Sequence, residues 1–264
     1  MSQQPIGVFD SGIGGLTVLR ELLARLPGES FVYFGDTARV PYGTKSAETV
    51  QRFSRENVHF LLERNVKMVV VACNTASSHA LPMLQSEFGV PIVGVIEPGV
   101  RAAVEATRSR RIGVIGTAAT VRSNAYPAKI QAELPDAVVI SQACPLFVPL
   151  VEEGWVDSPL TRMVAHEYLK VYDGTGIDTL VLGCTHYPLL KGVIGEAVGR
   201  DVALVDSAVE TAREVESVLR ARGIAGSGGG DFHIVLSDTS PAFEGLATRC
   251  LGRIVPDIEL VSIG

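Results

Sequence analysis

Two short stretches of the chain share one layout, in which an apolar run ends at a cysteine followed by hydroxyl or amide side chains. They are KMVVVACNTAS, with Cys73, and DTLVLGCTHYP, with Cys184. An unbroken run of Val, Leu and Met is typical of a strand buried on both faces, as in a parallel sheet covered by helices. We therefore expect both thiols at the carboxyl ends of parallel strands, where open α/β sheets bind ligands.

Strand-like and helical segments alternate along the whole chain. The apolar runs at 6–9 and 31–34 are followed by helical periodicity over 16–26 and 46–64, and the run that precedes Cys73 is followed by a predicted helix over 77–88. This alternation predicts an α/β fold with parallel strands and right-handed crossovers.

The same series of segments begins again in the middle of the chain. RIGVIGTAATV, at 111–121, resembles PIGVFDSGIGGLTV near the start, and Ile6 precedes Cys73 by 67 positions while Ile112 precedes Cys184 by 72. The repetition predicts two pseudo-symmetric three-layer αβα domains with mainly parallel sheets and an active site in the cleft between them.

The predicted domain boundaries follow from breaks in this pattern. Pro98 and Gly99 interrupt it first. A helix predicted over 207–222 leads to a glycine-rich connection at 223–231 and to a tail that is too short to fold alone. We expect the tail to complete the first sheet, so that residues 1–98 and 208–264 form the first domain and residues 99–207 the second.

Composition excludes several classes of partner. The net charge of −6 and the isoelectric point of about 5.4 provide no basic surface for nucleic acid or anionic lipid. The apolar runs are far shorter than the roughly 20 residues that span a membrane, and no secretion signal follows Met1. We predict a cytoplasmic protein that binds neither nucleic acid nor membranes.

The spacing of the cysteines favours free thiols. Cys73, Cys144, Cys184 and Cys250 form no C-x-x-C pair and no zinc-finger frame, and a reducing compartment keeps such thiols unpaired. We interpret Cys144 and Cys250 as core residues. A zinc site built from Cys73, Cys184 and His186 has no supporting motif, so we predict no metal.

The other two cysteines are candidates for acid/base chemistry. A thiol at the start of a helix has its thiolate favoured by the dipole and by free N–H groups, which can lower the pKa of Cys73 and Cys184. The sequence leaves open whether the pKa is lowered in the free protein or only when the site closes on substrate. Two such thiols related by pseudo-symmetry indicate an acid/base pair on opposite faces of a substrate, the arrangement that racemisation requires. The alternative is that both are merely buried sulfurs; the duplication and the polar neighbours argue against it.

Other residues near these motifs could assist without a cofactor. Asp10 ends the first strand and would adjoin Cys73 if the first and third strands are neighbours, and His186 could tune Cys184. The glycines at 12–15 differ from a dinucleotide loop because Thr17 replaces its last glycine; we expect them to admit a compact substrate close to the backbone. No lysine follows a strand in a pyridoxal phosphate setting.

The motifs FDSGIGGLTV, YFGDTARVPYG, ACNTAS and GCTHYPLL, in this order, resemble bacterial glutamate racemases of the aspartate/glutamate racemase superfamily, and the match spans the chain. The resemblance implies cofactor-independent interconversion of L- and D-glutamate by two α/β domains. It also implies a homodimer and a supply of D-glutamate for peptidoglycan synthesis.

The resemblance assigns roles to individual residues. Cys73 is expected to act on the D-enantiomer and Cys184 on the L-enantiomer, assisted by Asp10 and His186 respectively. Glu152 corresponds to a further catalytic carboxylate near the second thiol, although a solvated helix acid is the alternative. The implied substrate-binding set is Asp10, Ser11, Pro41, Tyr42, Gly43, Asn74, Thr75, Thr117, Thr185 and His186.

Two other functions remain open from the sequence. An aspartate racemase would share the fold and both cysteines; His186 argues against it, because aspartate racemases of the superfamily usually carry glutamate there. An amino-acid-binding module with two similar lobes would need polar donors, but it has no reason to place reactive thiols symmetrically.

Overall fold

The computed structural model describes residues 3–226, 228, 230–239, 243–255 and 258–263. Its strands are β1 (Ile6–Asp10), β2 (Phe31–Gly35), β3 (Met68–Val71), β4 (Ile92–Gly94), β5 (Arg111–Gly116), β6 (Val138–Ala143), β7 (Thr179–Gly183), β8 (Ala203–Val205), β9 (Phe232–Leu236) and β10 (Ile258–Leu260). Its α-helices are α1 (Leu16–Arg25), α2 (Ala47–Glu63), α3 (Asn74–Glu87), α4 (Ile96–Ala106), α5 (Ala118–Arg122), α6 (Ala125–Glu133), α7 (Phe147–Glu152), α8 (Pro159–Leu169), α9 (Lys191–Val198), α10 (Ala208–Arg222) and α11 (Phe243–Leu251).

The strands form two sheets whose described pairings are all parallel. The first sheet has the order β10-β9-β2-β1-β3-β4 and the second the order β6-β5-β7-β8. Four strands of the first sheet, β2-β1-β3-β4, therefore repeat the order of the second. This confirms the predicted α/β fold with two similar halves, the first built on the six-stranded sheet and the second on the four-stranded sheet. Cys73, after β3, and Cys184, after β7, lie at equivalent places in the two halves.

Each sheet is covered on both faces, which explains the unbroken apolar runs. Ile6 and Val8 of β1 face a core that includes Leu16 and Leu19 of α1, whereas Phe9 faces the side covered by α2 and α3. In the second sheet, α8 and α9 cover one face, and α4 and α6 cover the other. Both halves thus have three layers, with the strands in the middle.

The tail extends the first sheet, as expected. β9 pairs with β2, and β10 pairs with β9. Ser227 and Gly229 of the glycine-rich connection, and residues 240–242 of the tail, lie outside the described residues. The domain boundaries at 98 and 208 stay predictions.

A buried ion pair ties the connection to the first half. Lys67 Nζ lies 2.5 Å from Glu29 Oε2, and the two side chains are only 3% and 5% exposed. Lys67 also donates to the carbonyl of Ile224 at 2.9 Å, and Glu29 accepts from the Gly226 amide at 2.5 Å. The chain that returns from α10 is therefore held where it rejoins the first sheet.

Several helix boundaries follow from local chemistry. Ser46 caps α2 by accepting from the Thr49 amide at 3.3 Å, and α10 ends at Gly223, whose φ of +66° suits the left-handed C-cap. The expectation that Pro98 and Gly99 break the pattern is wrong. Both lie inside α4, where a proline in the first turn costs no intrahelical hydrogen bond.

The helix after β3 also begins earlier than predicted, at Asn74 rather than at residue 77. In the described part of the chain, no helix is both long and apolar enough to cross a bilayer.

Candidate active site

Cys73 and Cys184 line one narrow cavity of about 20 Å³, room for little more than a water molecule. Residues of both halves form its wall: Ser11, Val40, Pro41, Tyr42, Gly43, Cys73, Asn74, Thr75, Thr117, Val148, Cys184, Thr185 and His186. Asp10 and Glu152 lie behind this wall and bond to it. The structure thus brings together the residues that the sequence proposed for the site.

Cys73 is the N-cap of α3. Its sulfur accepts from the Ala76 amide at 3.5 Å, and its thiol donates to Ser11 Oγ at 3.7 Å. Burial raises the pKa of Cys73 to about 12, and the neighbouring Asp10 adds to the rise. Burial and a nearby carboxylate therefore outweigh the helix N–H groups at this thiol in the absence of substrate.

Cys184 has different surroundings. A 3-10 turn, Tyr187–Leu190, separates it from α9, so the expected helix start is wrong here. Its neighbour is His186, whose Nδ1 lies 3.9 Å from the sulfur and whose Nε2 lies 3.2 Å from Glu152 Oε1. Burial alone would lower the pKa of His186, but Cys184 and Glu152 raise it above the ordinary value.

A histidine with a raised pKa therefore adjoins one thiol, while a carboxyl group adjoins the other. The carboxyl group is that of Asp10, which is fully buried at the end of β1, next to β3. Its Oδ2 accepts from the Gly12 amide at 3.0 Å, and its Oδ1 accepts from Thr185 Oγ1 at 3.3 Å. Burial raises the pKa of Asp10, while His186 and the hydrogen bonds oppose the rise. Asp10 thus adjoins the Cys73 segment, as predicted, and also bonds to the other half.

Glycines let the halves touch on both sides of the cavity. A Cβ atom on Gly14 would lie 2.4 Å from Thr185 Oγ1 and 2.6 Å from His186 Nδ1, and one on Gly43 would lie 2.5 Å from Thr117 Cβ. Side chains of the second half thus occupy the space beside Gly14, and the expected role of the glycine loop in admitting substrate stays a prediction.

A cluster of three hydroxyl groups joins the halves at one end of the site. Thr75 and Thr117 are 2.9 Å apart at their Oγ1 atoms, and Thr120 Oγ1 lies 3.2 Å from the first and 3.0 Å from the second. Thr120, Val40 and Val148 are site residues that sequence reasoning missed. Only Thr120 carried a signal, since it lies three positions after Thr117 in a capping pattern.

The Tyr42 hydroxyl forms hydrogen bonds with two neighbouring side chains. It donates to the buried Asp36 and accepts from Asn57 Nδ2 at 3.0 Å. Arg39 also binds Asp36, with its Nε 2.9 Å from Oδ1. Tyr42 lines the cavity, but its phenol serves to hold the 36–43 loop.

The wall of the cavity offers hydrogen-bond donors that carry no charge. Its polar groups, such as Ser11, Asn74, Thr75 and Thr185, are neutral donors, and no Lys or Arg occurs among the described lining residues. Within the described ranges, no three His, Cys, Asp or Glu side chains are grouped to hold a metal ion.

Two similar α/β halves thus present one thiol each to a shared cavity. The profile of the Asp/Glu/hydantoin racemase family matches residues 6–215, and the chain belongs to that family of isomerases. More particularly, it is 53% identical to a glutamate racemase from Geobacter metallireducens over 265 aligned residues, covering 100% of this chain and 98% of the relative. It is 51% identical to one from Neisseria meningitidis, covering 99% and 98%. The resemblance to glutamate racemases is confirmed.

Solved structures agree with this assignment. A glutamate racemase isoform from Bacillus anthracis has a TM-score of 0.95 at 40% identity, covering 100% of this chain and 99% of that one. A Francisella tularensis glutamate racemase in complex with D-glutamate has a TM-score of 0.93 at 37% identity, with the same coverage. An Escherichia coli glutamate racemase with L-glutamate and the activator UDP-MurNAc-Ala has a TM-score of 0.83 at 26% identity, covering 99% of each chain.

Proposed function

We propose that this chain interconverts L- and D-glutamate without a cofactor, using Cys73 and Cys184 as paired acid/base groups. The observation that carries the proposal is that thiols at equivalent places in two similar halves line one cavity. An amino-acid binder would not need this arrangement. Glutamate, rather than aspartate, is favoured by the full-length relatives and by the D-glutamate complex of the Francisella tularensis protein.

The proposed reaction moves one proton at each face of the α-carbon. With L-glutamate, the Cys184 thiolate removes the α-proton, and the Cys73 thiol delivers its own proton to the opposite face. One C–H bond breaks and another forms, so the carbon inverts. The D-enantiomer reverses both transfers, with Cys73 as the base and Cys184 as the acid.

The neighbours of the thiols suit these roles. The charged form of His186 stabilises a thiolate at Cys184, and Glu152 orients the imidazole from its other nitrogen. Asp10, beside the Cys73 segment, is proposed to assist transfer on that side and to bind the substrate amine.

Substrate binding relies on neutral donors from both halves. We propose that the substrate-binding set consists of Asp10, Ser11, Pro41, Tyr42, Gly43, Asn74, Thr75, Thr117, Thr185 and His186. For Tyr42 and Gly43, backbone N–H groups are the proposed donors, since the Tyr42 phenol is committed to Asp36. The cavity is too small for glutamate as it stands, so the halves separate to admit it.

The biological setting is proposed from the relatives. D-Glutamate made in the cytoplasm would supply peptidoglycan synthesis, and the UDP-MurNAc-Ala activator of the Escherichia coli neighbour supports that setting because it is a muramyl nucleotide. We also propose that the protein forms a homodimer.

Circular dichroism with L-glutamate and L-aspartate as separate substrates tests the reaction. We expect loss of optical activity with glutamate, and uptake of one solvent deuterium at the α-carbon in D₂O. Cys73→Ala and Cys184→Ala should each nearly abolish both signals, whereas Cys250→Ala, which removes a core thiol, should keep them. Full turnover in either of the first two variants would reject the two-thiol scheme.

Separate roles for the thiols can be tested by elimination, which requires only one base. With a glutamate analogue that carries a leaving group on the β-carbon, Cys73→Ser should still eliminate from the L-enantiomer, and Cys184→Ser from the D-enantiomer. Equal loss on both faces in both variants would contradict this assignment.

A further inference from the structure

Tyr126 lies outside the cavity wall, yet its hydroxyl crosses from the second half to the first. On α6, it is 1% exposed, and its Oη donates to Asn74 Oδ1 at 2.8 Å. Asn74 directly follows Cys73 and lines the cavity. One buried hydrogen bond therefore connects the core of the second half to the residue beside the first thiol.

Close packing holds the Tyr126 ring in place. A Cβ atom on Gly99 of α4 would lie 2.9 Å from Tyr126 Oη, and a Cβ atom on Gly183, the last residue of β7, would lie 3.1 Å from a ring carbon. Since Gly183 directly precedes Cys184, the ring contacts one thiol segment while the hydroxyl binds the other.

The phenol is the donor in this hydrogen bond. Burial raises the pKa of Tyr126 above its ordinary value, and the nearby Cys184 adds to the rise, so the phenol keeps its proton. Asn74 accepts with Oδ1, so its Nδ2 is directed away from the phenol. Among the described residues no hydrogen bond to Nδ2 is found, and Asn74 itself lines the cavity.

We propose that Tyr126 is a positioning residue, whose hydroxyl fixes the Asn74 amide with its Nδ2 donor toward the cavity to bind a substrate carboxylate. This rests on the proposed function to the extent that the substrate carries a carboxylate. Without the hydroxyl, the amide can rotate and present its oxygen, which repels a carboxylate instead of donating to it.

Kinetics of Tyr126→Phe test the proposal. We expect KM for both enantiomers to rise on the order of tenfold, because one charge-assisted hydrogen bond is lost, with a smaller change in kcat. Tyr172→Phe is the matched control, since Tyr172 is also buried in the second half, but its hydroxyl donates only to the carbonyls of Val114 and Ile140. An unchanged KM in Tyr126→Phe would overturn the proposal.

A second comparison separates positioning from general destabilisation. In an Asn74→Ala background, Tyr126→Phe should have little further effect on KM, whereas additive effects would contradict action through Asn74. If Tyr126→Phe does not fold, Gly99→Ala keeps the phenol but displaces its oxygen, and it should raise KM in the same way. A normal KM in Gly99→Ala would then count against the proposal.

A readout without substrate distinguishes this proposal from the proposed function. Asparagine labelled with nitrogen-15 gives a side-chain NH₂ signal for Asn74, assigned by its absence in Asn74→Ala. Tyr126→Phe should shift this signal, and Tyr172→Phe should not. If the wild-type protein fails to racemise glutamate, the proposed function falls while this result still decides the positioning role; an unshifted signal overturns it whatever the activity.

Discussion

From the environment of Cys73 we predict how fast iodoacetamide alkylates this thiol. Only a thiolate is alkylated, and burial raises the pKa of Cys73 to about 12. At pH 8 about one molecule in 10⁴ then carries the thiolate, whereas an unperturbed cysteine with a pKa of about 8.5 carries it in about one molecule of four. The deficit in thiolate is on the order of 10³-fold.

A more basic thiolate is also a better nucleophile, which offsets part of that deficit. With a Brønsted coefficient of about 0.4–0.5, a difference of about 3.5 in pKa increases the intrinsic rate roughly 40-fold. Cys73 should therefore react about 50-fold more slowly than free N-acetylcysteine amide at pH 8, before its 5% exposure slows access further.

The pH dependence of the alkylation rate tests this reasoning independently of how easily iodoacetamide reaches the buried thiol. The rate constant for Cys73 should rise about tenfold per pH unit from pH 7 to pH 10, whereas that of an ordinary thiol levels off above about pH 8.5. Tryptic mapping follows each of the four cysteines in its own peptide. Asp10→Asn removes a charge that raises the pKa of Cys73 and should accelerate its alkylation. A plateau below pH 10 in the wild-type protein would refute the argument.

Three further substitutions have defined outcomes. Gly43→Ala should lower kcat/KM at least tenfold, because the added methyl would meet a threonine of the other half at 2.5 Å, whereas Gly89→Ala, with open space around it, should not. His186→Asn should lower turnover about 10²-fold. It should also increase the primary isotope effect for α-deuterated L-glutamate more than the effect for the α-deuterated D-enantiomer. Equal increases for the two enantiomers would contradict a role of His186 on one side only. Lys67→Met should lower the free energy of unfolding in urea by about 3–5 kcal/mol by leaving Glu29 buried and unpaired, and adding Glu29→Leu should recover most of the loss.

The sequence was informative where a feature depended on local pattern. Strands such as β3 and β7 are buried on both faces, so their apolar runs had no other good interpretation. Because the two cysteine motifs follow equivalent strands of repeated sheets, their sharing of a cavity could be expected from the repeat alone.

Features that depend on tertiary contacts could not be predicted in this way. The pKa of Cys73 is set by burial and by Asp10, neither of which is visible in the motif ACNTAS. The surroundings of Cys184 were misjudged because a 3-10 turn and an α-helix begin with similar residues. Val148 and Tyr126 come from elements without a motif, and only the packing of the two halves shows their importance.

The position of β9 between β2 and β10 has a consequence for synthesis on the ribosome. The strands of the second sheet, from β5 to β8, emerge as one continuous stretch, so that sheet can close while the chain is still being made. The first sheet, although most of it is translated earlier, exposes the edge of β2 until β9 has left the exit tunnel. The half made first is thus finished last, and a truncated product would retain a bare strand edge open to aggregation.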